Sequence, residues 1–116
     1  MQALAGRLRQ HYPTLEVVTG SADPAGFDIV VNATPLGMKT GDPLPMDVER
    51  IPPHAYVGEV VLSAEVTPFL AAARARGCQG QGGLDMLYEQ IPAYLAYFGL
   101  PVATPGQLRA LANPMA

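Results

Sequence analysis

Leu4, Leu8 and Tyr12 recur at four-residue intervals with Arg7, Arg9 and Gln10 between them, which predicts an amphipathic helix over residues 3–12. Pro13 ends it, because a proline ring cannot continue a helical ladder. Leu15 to Val18 is a short β-branched run and predicts a strand, followed by a turn cluster from Gly20 to Gly26. Phe27 to Ala33 carries the continuous apolar run Ile29-Val30-Val31, the pattern of a strand buried on both faces in a parallel sheet. Residues 35–54 hold five prolines and two glycines and predict a loop with one helical turn. Tyr56 to Leu62 is a second apolar strand. Thr67-Pro68 has the form of an N-cap followed by proline at the first helical position, and Gly77 closes that helix. Gln79 to Gln81 is a short strand. Leu84, Leu87, Tyr88, Ile91, Leu95 and Phe98 keep helical spacing up to Gly99, with Pro92 expected to kink the axis or free a carbonyl near Tyr88. Thr104 and Gln107 have capping-box spacing and start a last short helix.

Buried strands that alternate with helices define an α/β fold with a mostly parallel sheet. Ligands of such sheets bind beyond the carboxyl ends of the strands. Three polar or glycine-rich turns fall there: Asn32-Ala33-Thr34, Leu62-Ser63 and Gly82-Gly83. They are expected to converge on one rim.

Composition narrows the function. The 116 residues make one domain's worth of chain, and 49% of them are hydrophobic, which excludes disorder. Seven basic against ten acidic residues leave a charge of −3, which is no footprint for nucleic acid. No apolar run is long enough to span a membrane. Cys78 is the only cysteine, so neither a disulfide framework nor a multi-cysteine zinc site can form, and a reducing cytoplasm is the expected compartment. His11 and His54 sit in no metal or triad pattern. Lys39, the only lysine, reads as a solvated loop residue.

Three segments in this order resemble the nucleotide-binding domain of the shikimate dehydrogenase family: Asp28-Ile-Val-Val-Asn-Ala-Thr-Pro-Leu-Gly-Met38, Gly58-Glu-Val-Val-Leu-Ser-Ala-Glu-Val-Thr-Pro-Phe-Leu70 and Gly83-Leu-Asp-Met-Leu-Tyr-Glu-Gln90. The resemblance covers roughly residues 1–100 and lies nearest the shikimate/quinate dehydrogenase-like members. It implies an oxidoreductase that moves a hydride between NADP or NAD and a cyclic hydroxy acid, with NADP slightly favoured. It also implies a partial Rossmann-type sheet without its first two strands. The N-terminal substrate domain, with its catalytic Lys–Asp pair, and the glycine-rich phosphate loop would lie outside residues 1–116. No catalytic residue is therefore expected in this chain, and the fragment alone is expected to be inactive.

By the same resemblance, Asn32, Ala33, Thr34, Val60, Gly83 and Met86 line the cofactor, and Leu62 and Gln90 face the substrate. Each has a plainer reading from its own chemistry. Asn32 and Thr34 can end a strand before Pro35, Val60 and Met86 can be core, Gly83 can be a turn, and Gln90 can be a solvated helix residue. Leu62 stands where housekeeping members carry a tyrosine, and the lost hydroxyl puts shikimate itself in doubt as substrate. Glu59 replaces a usual aspartate and Ala64 a usual proline.

In the Rossmann order 3-2-1-4-5-6, residues 15–18 would be the third strand and 27–33 the fourth, with two absent strands between them. An unpaired apolar edge then invites one of three outcomes: re-pairing of 15–18 with 27–33, a homodimer joined edge to edge, or a segment of a longer product. The alternative function is a non-catalytic remnant domain that folds or dimerises. A folate-linked Rossmann dehydrogenase is a third reading, disfavoured by Asn-Ala-Thr-Pro and the helix from Gly83 to Gln90.

Overall fold

The computed structural model describes residues 1–112. The elements are α1 (Gln2–His11), β1 (Ile29–Asn32), a 3-10 turn (Val48–Arg50), β2 (Tyr56–Glu59), α2 (Pro68–Ala75), β3 (Gln79–Gln81), α3 (Gly83–Tyr97) and α4 (Pro105–Ala112). The strands form one parallel sheet in the order β1-β2-β3, with Ile29 opposite Tyr56 and Tyr56 opposite Gln79. This is the α/β, Rossmann-type arrangement that the sequence predicts.

Period-two alternation sorts the strand residues onto two faces. Val30, Asn32, Val57 and Glu59 are buried on the face that carries α2. There Val30, Val57, Phe69, Leu70, Ala73 and Cys78 form the core, closed from the loop side by Val48 and Ile51. α2 begins as its sequence dictates: the Thr67 hydroxyl accepts from the Leu70 N–H at 3.3 Å, and Pro68 occupies the first turn. Gly77, with φ +92°, takes the left-handed conformation that turns the chain into β3. α3 runs unbroken through Pro92, whose missing N–H leaves the Tyr88 carbonyl without its usual ladder partner. The Thr104–Gln107 capping box forms reciprocally, at 2.8 and 3.2 Å.

Two expectations are overturned. Residues 15–18 are not a strand, and the run does not re-pair with β1. A β-branched run becomes a strand only beside another strand, and none of the described strands pairs with it. The Arg9 guanidinium instead donates to the Val17 carbonyl and folds this segment back along α1. Secondly, β1 is buried on one face only: Ile29 is 68% exposed and Val31 49%. Their face of the sheet, shared with Tyr56, Gln79 and Gln81, carries no packed helix among the described residues.

Candidate functional site

The carboxyl ends of the three strands meet. The Asn32 carbonyl accepts from the Val60 N–H at 3.2 Å, so the turns after β1 and β2 leave the sheet together. Gly83, the first residue of α3, rests on the peptide that joins Val60 to Val61. A Cβ there would lie 2.5 Å from the Val61 carbonyl oxygen, nearer than such contacts occur. Gly82 is held equally close, its Cβ position 2.6 Å from the Glu65 carbonyl. These glycines are required by strand-to-helix packing, independently of any ligand. The Ser63 hydroxyl donates to the Gly37 carbonyl at 3.0 Å and ties the two loops again.

A buried polar network underlies this rim. Glu59 is 3% exposed, and its carboxylate accepts from the Asn32 amide at 3.0 and 3.2 Å, the Val61 N–H at 3.1 Å and the Thr67 hydroxyl at 2.9 Å. Asn32 also donates to the Leu36 carbonyl at 3.0 Å, and its oxygen accepts from the Thr34 N–H at 3.1 Å and the Thr34 hydroxyl at 2.7 Å. Thr34 in turn accepts from the Leu36 N–H at 3.2 Å. A buried charge is tolerated only when its oxygens are filled in this way. The network missed by sequence reasoning thus links the loop after β1, the end of β2 and the cap of α2. The available clue was a carboxylate inside an apolar strand eight residues before an N-cap threonine.

The candidate residues therefore divide. Asn32 is wholly buried and spends its side chain inside the protein. Ala33, Thr34 and Leu62 are exposed at the rim, Val60 and Met86 are half-buried, and Gly83 is buried against the strand ends. Gln90 is exposed on α3, one turn beyond Met86, and its carboxamide oxygen accepts from the Tyr94 hydroxyl at 3.2 Å. Beside the rim a cleft of about 330 Å³ is lined by Leu36, Met38, Pro43, Leu44, Ser63 and Phe69. Its loop is shaped by Asp42, whose carboxylate accepts from the Gly37 and Lys39 N–H groups at 3.0 and 2.9 Å. Those bonds, the one from Lys39 foremost, hold the Asp42 carboxyl below its ordinary range.

Two further clusters are structural. Arg109 of α4 bridges Asp85 at 3.0 Å and Glu89 at 3.4 Å and lies over the Tyr88 ring, which docks α4 on α3. His54 meets Asp28 at 3.2 Å in open solvent. No group of three potential metal ligands occurs among the described residues, and none of their helices is long and apolar enough to cross a membrane.

No family model matches the chain. It is 44% identical over 94 residues to the shikimate dehydrogenase (NADP(+)) of Acidiphilium cryptum, a match that covers 79% of this chain and 34% of that protein. With the shikimate dehydrogenase (NADP(+)) of Azorhizobium caulinodans it shares 36% identity over 114 residues, 94% of this chain and 41% of the relative. Among solved structures, quinate dehydrogenase from Corynebacterium glutamicum in complex with NAD superposes with a TM-score of 0.77 at 33% identity, over 93% of this chain and 40% of that one. Ligand-free 5-ketofructose reductase of a Gluconobacter species gives 0.63 at 28% identity, over 79% and 34%. The chain thus spans about a third of the length of the first curated relatives it matches.

Proposed function

The chain belongs to the shikimate dehydrogenase family, and from that premise we propose that it forms the nicotinamide-facing side of an NAD(P)-dependent oxidoreductase acting on a cyclic hydroxy acid. The observation that carries this reading is the meeting of the three family-like segments at one rim, through Asn32, Val60 and Gly83.

The rim fits one end of a dinucleotide. Exposed Ala33 is small, half-buried Val60 and Met86 are apolar, and main chain comes to the surface at the strand ends, which suits a flat ring. Thr34 is held by Asn32, and Asn32 by Glu59, so the loop is set before any ligand arrives. Asn32 acts by shaping that loop, and contact with the ring falls to Ala33 and Thr34. Leu62 and Gln90 are the substrate-side residues, Gln90 through its carboxamide and Leu62 through an apolar surface. Nothing here fits a pyrophosphate: the sequence contains no Gly-x-Gly-x-x-Gly, and Gly82 and Gly83 are backed by main chain. The cofactor, when bound, supplies the hydride chemistry. This chain's residues place the ring and exclude water from one side of it. The proton-transfer pair lies outside the chain, as does the substrate domain, and NADP is favoured over NAD. The compartment consistent with one buried, unpaired cysteine is the cytoplasm.

The test is an assay of the purified 116-residue chain with shikimate or quinate and either dinucleotide. The expected result is no turnover above background. Measurable turnover would overturn the assignment of the proton-transfer groups to another part of the enzyme.

A further inference from the structure

Starting from the nicotinamide-facing reading of the rim, and resting on it, we infer that the Thr34 hydroxyl meets a ligand as an acceptor only. The site then selects a cofactor end that carries a neutral N–H or O–H donor and disfavours one that carries a carboxylate. The polarity is set from inside the protein. The Glu59 carboxylate, 3% exposed, receives donors on both oxygens: the Val61 N–H, the Thr67 hydroxyl and the Asn32 side chain. Asn32 therefore turns its NH2 toward Glu59, and the same NH2 donates to the Leu36 carbonyl at 3.0 Å. Two acceptors on one side of the amide fix which end is nitrogen.

The Asn32 oxygen is left on the other side, where the Thr34 N–H reaches it at 3.1 Å. The Thr34 hydroxyl lies 2.7 Å from the same oxygen, so its single proton is spent there. One hydroxyl lone pair takes the Leu36 N–H at 3.2 Å, and the second is left over. Asn32 is wholly buried with both ends of its amide filled, whereas Thr34 stands exposed at the rim beside Ala33. Every group that sets this polarity lies between Asn32 and Thr67 in the chain. A free threonine rotates its hydroxyl to suit either kind of ligand group. Thr34 has lost that choice.

Two groups at the nicotinamide end of a dinucleotide supply a matching donor: the ring carboxamide and the hydroxyls of its ribose. A nicotinic acid ring does not. Its carboxylate sets acceptors against an oxygen that offers only a lone pair, and an unpaired polar group costs more than a formed hydrogen bond returns. Sites built around one polarity discriminate by stranding the wrong analogue in this way.

The test is an amide chemical-shift titration of the full chain and its Thr34 variants with NADP and with the nicotinic acid analogue of NADP. Thr34→Val keeps the shape of the side chain and removes the lone pair, and is expected to weaken NADP binding about fivefold, the worth of one ordinary hydrogen bond. Thr34→Ser keeps the hydroxyl and is expected to bind NADP as the wild type does. Thr34→Ala takes the place of the valine variant if that variant fails to fold. With the carboxamide as donor, the wild type binds the analogue roughly tenfold more weakly than NADP, and Thr34→Val narrows the gap. With the ribose as donor, Thr34→Val weakens both dinucleotides alike. Either pattern supports the inference. NADP affinity unmoved by Thr34→Val, or lost equally in Thr34→Ser, would overturn it and leave the nicotinamide-facing reading standing. A wild-type chain that shows no NADP shifts would overturn both.

Discussion

At the scale of single residues, the Glu59 carboxylate decides the most. It accepts from Asn32, Val61 and Thr67; without it the Val61 N–H and the Thr67 hydroxyl lose their acceptor, and the Asn32 amide keeps only the Leu36 carbonyl. Glu59→Ala is therefore expected to destabilise the fold by about 3 kcal/mol, since removing one partner strands the others; urea unfolding measures it. Gly83→Ala places a methyl 2.5 Å from the Val61 carbonyl and should cost roughly 1–3 kcal/mol as the strand ends and α3 part. Asp23 gives a pH prediction. Its carboxyl is lowered from 3.8 to about 2, chiefly by the hydrogen bonds of the Arg50 guanidinium and then by the Ala25 N–H. Between those values the unfolded chain binds more protons than the folded one. The small contribution of this exposed pair is complete above 3.8 and is lost as the pH falls through about 2. Carboxyl NMR should show Asp23 titrating near 2 and returning toward 3.8 in Arg50→Ala. Little of this was legible beforehand. The chemistry of Asn32 is visible in its type, but whether an amide faces a ligand or a buried carboxylate depends on a residue 27 positions away.

Among the elements, those with local instructions were readable. Thr67-Pro68 caps α2, Gly77 and Gly99 end helices at positive φ, and Thr104 pairs with Gln107. Such signals act within a few residues, so no tertiary knowledge is needed. Thr67→Ala should cost more than Thr104→Ala, about 2 against about 1 kcal/mol, because the Thr67 hydroxyl is also a buried partner of Glu59; thermal unfolding of the pair ranks them. Elements that depend on distant neighbours were misjudged. Leu15 to Val18 has strand composition and no strand beside it. The Ile29-Val30-Val31 run has the pattern of a doubly covered strand, yet only the Val30 side is covered. α1 behaves as a lone helix: Ala5 is its one buried residue, and Leu4 and Tyr12 of its apolar face stay exposed. Its amides are expected to exchange far faster than those of β2 and α2, which native-state hydrogen exchange resolves.

For the molecule as a whole, a single face of the sheet carries the core, and large apolar side chains such as Ile29, Tyr97 and Phe98 stay exposed. The radius of gyration is 16.8 Å, against about 13 Å for a compact domain of this length. The candidate site lies at the carboxyl end of the sheet, where strand ends, α3 and the Glu59 network meet. The site is therefore expected to be formed while binding remains weak, because the rim grips only one end of a dinucleotide. The most direct measurement is an amide chemical-shift titration of the chain with NADP. Small, fast-exchange shifts confined to Ala33, Thr34, Val60, Gly83 and Met86 are expected. Shifts centred elsewhere, such as on the loop from Lys39 to Leu44, or none up to the solubility limit, would contradict it.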